Sequence, residues 1–138
     1  MLVVLDASVA VKWFVPGEGG RAEALDILDQ VHHARHAFAV PELFFNEMLA
    51  VLARLSDKDV AVVRSYMEAL QDLGFERIGN GRELLACAAD LACAHRLTGY
   101  DAVYAASAKL TGGCWLTADA QAHRRVKRLN ISKAVCQG

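Results

Sequence analysis

The stretch that most constrains the fold is the start of the chain, where an apolar run ends abruptly at a carboxylate. Residues 2–5 are all aliphatic, and such a continuous run is typical of a central strand buried on both faces of a parallel sheet. Asp6 follows, then two small residues, and a helical pattern begins at Val9. We therefore expect Asp6 to lie at the carboxyl edge of the sheet, where open α/β sheets bind their ligands.

Short apolar runs alternate with helical patterns along the rest of the chain. Further strands are predicted over residues 37–40, 75–78, 114–116 and 134–135, with about seven helices around them. One of these helices is expected to start at the potential caps Ser56 and Asp57. The alternation predicts an α/β sandwich with a parallel sheet of four to five strands. No repeat or linker interrupts the 138 residues, so we expect a single domain.

Composition excludes several classes of protein. Hydrophobic residues make up 54% of the chain and charged residues 22%, which excludes intrinsic disorder. No apolar run approaches the roughly 18 residues that a membrane helix needs, and the N-terminus has no signal-like features. The four cysteines form no CxxC pair, so we expect buried, reduced thiols in a cytoplasmic protein. They are Cys87, Cys93, Cys114 and Cys136.

Four carboxylates are candidates for a shared site: Asp6, Glu47, Asp101 and Asp119. Asp6 and Asp119 follow predicted strands, whose carboxyl ends share one edge if the strands are parallel. Each of the three aspartates also precedes a predicted helix and could serve only as its N-cap. Glu47 borders an apolar stripe, where a carboxylate needs a partner, a proton or a metal unless water solvates it. Carboxylates gathered together repel one another, and a hard cation such as Mg²⁺ or Mn²⁺ relieves that repulsion.

The net charge of −1 conceals an asymmetry. Residues 1–119 contain 10 basic and 16 acidic residues, whereas residues 120–138 contain five basic residues and no acidic one. The basic residues of this last segment are Arg124, Arg125, Lys127, Arg128 and Lys133. Such a segment favours contact with an anion or a partner, although an ordinary solvated helix face is the alternative.

Four motifs, taken in this order, resemble those of PIN-domain ribonucleases, and most closely the VapC-type toxins of bacterial toxin–antitoxin pairs. The motifs are Asp6-Ala7-Ser8, Pro41-Glu42-Leu43 with Glu47, Tyr100-Asp101-Ala102-Val103-Tyr104, and Leu116-Thr117-Ala118-Asp119. The resemblance spans nearly the whole chain. It implies one PIN-like domain over residues 1–138, a three-layer sandwich in which helices cover both faces of the central parallel sheet.

The same resemblance implies a function and partners. It implies hydrolysis of RNA phosphodiester bonds with Mg²⁺ or Mn²⁺, a homodimer, and neutralisation by a small antitoxin protein. The acidic quartet of the family matches Asp6, Glu47, Asp101 and Asp119, which would bind the metal and carry out catalysis. We expect the RNA backbone to be held by basic residues near the C-terminus, namely Arg124, Arg125, Lys127 and Arg128.

Two hydroxyl residues and one departure complete the comparison with that family. Ser8 and Thr117 match its frequent hydroxyl positions beside the pocket. Many VapC-type relatives carry Asn three residues after the helix glutamate, and this chain has Ala50 there. The departure concerns a hydrogen bond to a ligand rather than the metal site itself.

The sequence leaves two other functions open and also predicts an oligomeric interface. A receiver-like module that only binds Mg²⁺ is one alternative, although no late-strand lysine accompanies the acidic edge. An acid-site phosphatase is the other, although Ser8 stands where an aspartyl-nucleophile enzyme needs a second acid. The helices that carry Phe44, Phe45, Met48 and Tyr66 have more large apolar residues than one core needs, which indicates an exposed patch for a homodimer.

Overall fold

A five-stranded parallel sheet forms the centre of the described chain, which in this computed structural model comprises residues 1–17, 19–57 and 59–135. The strands are β1 (Val3–Leu5), β2 (Phe38–Pro41), β3 (Glu76–Ile78), β4 (Cys114–Thr117) and β5 (Ser132–Ala134). Their order is β3-β2-β1-β4-β5, and every neighbouring pair is parallel. The predicted parallel α/β fold is therefore confirmed.

Seven α-helices connect and cover these strands within the described residues. They are α1 (Ala7–Phe14), α2 (Arg21–His33), α3 (Leu43–Leu55), α4 (Val60–Asp72), α5 (Arg82–His95), α6 (Gly99–Thr111) and α7 (Ala120–Val126). A 3₁₀ turn over Lys127–Leu129 extends α7. None of the helices in the described ranges is long and apolar enough to cross a membrane.

The start of α4 differs from the prediction. Ser56 and Asp57 do not cap it; Asp59 does, and its Oδ1 accepts from the backbone N–H groups of Ala61 and Val62 at 3.1 and 3.3 Å. Asp57 instead has φ +50°, a left-handed conformation that ends the continuity between α3 and α4. A short turn therefore separates two helices that the sequence pattern placed end to end.

The central strands show that both faces of the sheet are covered. Adjacent residues of a strand point to opposite faces. Val4 and Leu5 are both fully buried, and so are Ala39 and Val40 of the neighbouring strand. Helix α6 lies against β1, β2 and β4 with a run of small buried side chains, which let its backbone approach the sheet closely. The expected layered arrangement follows from this packing.

The strand order places a ligand-binding edge beside β1. The chain continues from β1 to β2 and β3 on one side, and later adds β4 and β5 on the other. This reversal creates a switch point between β1 and β4, where open α/β sheets bind ligands. Leu5 pairs in register with Leu116, and the N–H of Asp6 donates to the carbonyl of Leu116 at 3.0 Å. The residues that follow these two strands therefore lie together.

Helices α3 and α4, for which an exposed apolar patch is predicted, carry both core and exposed apolar residues. Phe44, Phe45 and Met48 are buried, and the ring of the half-buried Tyr66 lies 4.7 Å from that of Phe14. These named side chains therefore pack in or against the core, and the exposed patch predicted for this pair of helices has to come from their other apolar residues. The exposed apolar residues near this helix pair include Leu49 and, at the start of α4, Val60, which is 68% exposed.

The described cysteines are free thiols, but they are not all buried. Cys87 and Cys114 are half-buried, whereas Cys93 is exposed on α5. Cys136 lies outside the described residues. The expected absence of paired cysteines therefore applies to three of the four positions, and the expected burial fails at Cys93.

Candidate active site

The four predicted carboxylates come from four different elements and line one open cavity of about 230 Å³. Asp6 follows β1 and Asp119 lies just beyond β4, on either side of the switch point. Glu47 lies on α3, and Asp101 lies in the first turn of α6. The predicted convergence of these side chains at the carboxyl edge of the sheet is therefore present in the structure.

Asp6 is the most enclosed of the four, with only 6% of its surface exposed. Its Oδ1 accepts from the N–H of Ser8 at 2.9 Å, and its Oδ2 accepts from the indole Nε1 of Trp115 at 2.8 Å. Burial raises the pKa of Asp6, and these hydrogen bonds partly oppose that shift. Asp6 is thus the N-cap of α1 and also a wall of the cavity, so the capping alternative and the site hypothesis are both compatible with its geometry.

Glu47 has a carboxylate oxygen that none of the described residues satisfies. Its Oε1 is buried and has no hydrogen-bond partner among the described residues. The phenol oxygen of Tyr104 accepts from the N–H of Ala7 at 3.4 Å, and the interaction of this phenol with the Glu47 carboxylate opposes the rise in the pKa of Glu47. Burial raises the pKa of Glu47, and the charges of Asp6 and Asp101 raise it further. A buried oxygen left without a partner is costly, so this carboxylate oxygen favours a proton, a cation or a water molecule beside it.

Asp101 does not cap its helix, contrary to the capping alternative. Thr98 caps α6, and its Oγ1 accepts from the N–H of Asp101 at 3.1 Å. The half-buried carboxylate is left to the cavity. Burial and then the charges of Asp6 and Asp119 raise the pKa of Asp101 to about 6. This shift reflects like charges held close together in a partly desolvated site.

Asp119 caps α7 and lies at the exposed rim of the cavity. Its Oδ1 accepts from the N–H groups of Gln121 and Ala122 at 3.0 and 3.1 Å. One carboxylate oxygen makes both capping bonds. Asp119 is therefore an N-cap, as the capping alternative predicted. The same side chain also lines the cavity.

The two predicted hydroxyl residues join the ends of β1 and β4. The hydroxyl oxygens of Ser8 and Thr117 lie 3.4 Å apart. Ser8 Oγ accepts from the N–H of Ala118 at 3.0 Å, and Thr117 Oγ1 accepts from the N–H of Asp119 at 3.0 Å. These bonds fix the loop that carries Asp119 against the start of α1, which holds two of the carboxylates at a set separation.

An aromatic pair behind the cavity was not identified from the sequence. The rings of Tyr104 and Trp115 stack nearly parallel, with centroids 6.3 Å apart, and both side chains are almost completely buried. Tyr104 supports Glu47, and Trp115 supports Asp6. A signal for Tyr104 was present, because it lies three residues after Asp101 and so on the same side of α6.

The four basic residues assigned to RNA binding are exposed on α7 and the turn that follows it. Arg125 is the one that the structure connects to the cavity. Its guanidinium donates to the carbonyl of Arg96 at 2.7 Å, and its charge lowers the pKa of Asp101 against the larger raising effects. Arg96, at the end of α5, was missed from the sequence because nothing near it in the chain marks it.

The donor set fits a hydrated hard cation better than a closed metal site. All four side chains supply oxygen, which Mg²⁺ and Mn²⁺ prefer, and Glu47 offers an unpartnered buried oxygen. In the described ranges, however, no three Asp, Glu, His or Cys side chains are close enough to hold an ion on their own. Mg²⁺ commonly keeps several water molecules and takes only one or two protein carboxylates. The cavity is compatible with that mode of binding.

Fold and site together define an α/β protein with an acidic cavity at the switch point of its sheet. The chain belongs to the PIN domain family, whose sequence pattern matches residues 3–129. The resemblance found from the four motifs is therefore confirmed at the level of the family. A search of curated proteins finds no match.

Several solved structures share the fold at low sequence identity. A toxin–antitoxin complex from Klebsiella pneumoniae is similar with a TM-score of 0.69 and 13% identity, over 99% of each chain. FitAcB from Neisseria gonorrhoeae has a TM-score of 0.74 and 16% identity, over 91% of this chain and 94% of that one. A protein from Pyrobaculum aerophilum has a TM-score of 0.64 and 23% identity, over 91% and 79%. These similarities establish the fold.

Proposed function

We propose that this protein is a metal-dependent endoribonuclease that hydrolyses phosphodiester bonds in RNA. The observation that carries the proposal is the convergence of four carboxylates from four elements in one open cavity at the switch point of the sheet. PIN domains are generally nucleases, so the family supports this function over a receiver-like Mg²⁺-binding module or an acid-site phosphatase. We propose Asp6, Glu47, Asp101 and Asp119 as its catalytic and metal-binding residues.

A Mg²⁺ or Mn²⁺ ion at this site would polarise a phosphoryl oxygen and lower the pKa of an attacking water molecule. Neighbouring residues would position the carboxylates that bind this ion. The backbone N–H of Ser8 and the indole N–H of Trp115 each donate to one oxygen of Asp6. These two bonds fix the orientation of the carboxylate. Tyr104 interacts with the Glu47 carboxylate, whose Oε1 has no hydrogen-bond partner among the described residues. Because the cavity is open, an RNA strand has access to these groups.

Substrate attraction needs positive charge, because the cavity itself repels phosphate. Residues 120–138 supply five basic and no acidic side chains, and Arg125 lies close enough to Asp101 to affect its pKa. We propose that Arg124, Arg125, Lys127 and Arg128 hold the RNA backbone while the carboxylates act on one phosphate.

We also propose that this ribonuclease is a cytoplasmic toxin, that a small antitoxin neutralises it, and that it forms a homodimer. The motifs support this assignment, and so do the similar structures, which include a toxin–antitoxin complex and FitAB bound to a DNA fragment. Light scattering at micromolar concentration should give twice the chain mass of 15.0 kDa. The single-chain mass would contradict the dimer.

Asp119→Asn tests the proposed function with a matched control in the same chain. The amide oxygen of Asn can keep both capping bonds of Asp119 while the negative charge is removed. Asp59 caps α4 through the same pair of bonds and lies outside the carboxylate cavity, so Asp59→Asn makes the same chemical change elsewhere. Cleavage of mixed single-stranded RNA is measured with Mg²⁺, with Mn²⁺ and with EDTA.

We expect the wild type and Asp59→Asn to cleave RNA only when a divalent ion is present, and Asp119→Asn to lose this activity without loss of folding. Replacing a group that only supports a metal ligand typically costs about 10- to 100-fold in metal affinity or activity, so loss of a proposed ligand should cost at least about as much. Metal-dependent cleavage that survives in Asp119→Asn would falsify the assignment of this carboxylate. A wild type without such cleavage, freed of any co-purified inhibitor, contradicts the nuclease proposal itself.

A further inference from the structure

A second cavity adjoins the carboxylate cavity and shares Glu47 with it. Its volume is about 340 Å³, and one face of α3 forms much of its wall. Leu43, Asn46, Glu47 and Ala50 lie on this face at helical spacing. Glu47 therefore separates two neighbouring cavities, so a ligand that spans both would pass directly over this carboxylate.

The side chains of this second cavity suit a flat ring with polar edges. Tyr100 is 67% exposed, so its ring is accessible as a contact surface. Asn46 and Asn80 are exposed at the wall, and each amide offers both donors and an acceptor. Leu43 and the methyl group of Ala50 add apolar surface. An exposed aromatic ring with amides nearby is the usual means of holding an unstacked nucleobase.

The charge of this second cavity favours binding of a nucleobase over binding of a phosphate group. Glu42 and Glu47 line it, and none of the described residues that line it is Lys or Arg. Arg77 lies 3.6 Å from Glu42 but is not part of the wall. A phosphate group would be repelled here, whereas the amino groups of adenine, cytosine or guanine could donate to carboxylate and amide oxygens.

We propose that this cavity is a nucleobase subsite for the RNA nucleotide next to the cleaved phosphate, with Tyr100 as its stacking platform. The inference rests on the proposed ribonuclease function. It adds a site, with Tyr100 at its centre, that would select which RNA sequences are bound. The shared wall at Glu47 places the base beside the carboxylates. Tyr100 immediately precedes Asp101 in α6, so binding of the base and positioning of the phosphate depend on the same helical turn.

The test combines substitutions in the protein with deletion of single bases in the RNA. The probe is a fluorescent single-stranded RNA that contains a mapped cut site, together with copies in which one nucleotide flanking that site is abasic. Binding is measured by anisotropy in EDTA, where no cleavage interferes. Tyr100→Ala removes the stacking ring, Tyr100→Phe keeps it, and Ala50→Leu fills the cavity from an exposed helix position. Leu110→Ala, at an exposed site on α6 outside both cavities, is the control.

We expect Tyr100→Ala and Ala50→Leu to weaken binding of intact RNA roughly 5- to 150-fold, the usual worth of one stacked base. Tyr100→Phe and Leu110→Ala should bind as the wild type does. One abasic position should weaken the wild type by a similar factor, and Tyr100→Ala should add nothing to that loss. Circular dichroism of each variant checks that the fold is intact.

Two results would overturn the subsite while leaving the nuclease proposal standing. One is wild-type affinity of Tyr100→Ala for intact RNA, and the other is a full additional loss from Tyr100→Ala at every abasic position. In the first case Tyr100 does not contact RNA, which leaves a protein partner as the ligand of this cavity. A wild type that neither binds nor cleaves RNA rejects both proposals together.

Discussion

Replacement of Trp115 by Phe should weaken the metal site through Asp6 rather than through the general packing of the core. The indole of Trp115 is completely buried, and its Nε1–H donates to Asp6 Oδ2 at 2.8 Å. Trp115→Phe keeps an aromatic ring in place but removes this donor. A hydrogen bond to a charged group contributes about 1.5–3 kcal/mol to stability, in addition to the packing that the smaller ring loses.

Trp13 provides a control of the same chemical kind. It is also buried, and its Nε1–H donates to the backbone carbonyl of Ala24 at 2.7 Å. Trp13→Phe therefore removes an indole and a bond to a neutral acceptor, which contributes about 0.5–1.5 kcal/mol. The two variants should lose similar packing, so the free energy of unfolding of Trp115→Phe should fall about 1 kcal/mol further.

The decisive readout is metal affinity, measured by titration calorimetry with Mn²⁺. Residues that orient a metal ligand typically change metal affinity about 10- to 100-fold when they are replaced. We expect a loss of that size in Trp115→Phe and wild-type affinity in Trp13→Phe, with urea denaturation reporting stability in parallel. Equal Mn²⁺ affinity in the two variants would show that Trp115 only fills the core.

Two further predictions concern charge. In EDTA at about pH 7.5, the free energy of unfolding of Asp101→Asn should be about 1 kcal/mol higher than that of the wild type. This figure is smaller than the pKa shift alone would give, because the carboxylate is only half-buried. The pKa of Asp101 is raised to about 6 from 3.8, so its favourable contribution is fully present below the lower value and is lost as the pH rises through the upper one. The advantage of the variant in urea denaturation should therefore shrink toward about pH 4, and an advantage independent of pH contradicts this cause. Replacing Arg124, Arg125 and Arg128 with Gln should weaken RNA binding for all sequences and flatten its salt dependence by roughly 0.7 in log–log slope per lost contact. An unchanged slope would mean that this surface is only solvated or serves a protein partner.

Local patterns were sufficient to predict the parallel sheet and the position of Asp6. The aliphatic run before Asp6 can be buried on both faces only in the centre of a covered sheet, and β1 occupies that place. Once the strands are parallel, residues after β1 and β4 must share an edge. The convergence of Asp6 and Asp119 is therefore a consequence of topology that the sequence already contains.

Features that depend on distant pairing were not predictable. Trp115 reaches Asp6 across 109 positions, and no local pattern specifies that register. The predicted cap of α4 was wrong for a different reason. Ser56, Asp57 and Asp59 are all acceptable capping residues, and only the backbone conformation decides which of them caps the helix. Thr98 likewise takes the cap that was considered for Asp101. The members of the predicted apolar patch were not predictable either, because a count of apolar residues does not show which faces other elements cover.

Diffraction from crystals grown with Mn²⁺ would locate the proposed metal site, because anomalous scattering identifies the ion independently of activity. We expect one or more peaks in the cavity between Asp6, Glu47, Asp101 and Asp119, with at least one carboxylate oxygen at about 2.0–2.2 Å and water completing the coordination. Asp119→Asn should reduce the peak, and Asp59→Asn should leave it unchanged. A protein that cleaves RNA with Mn²⁺ while this cavity stays free of anomalous density would contradict the account.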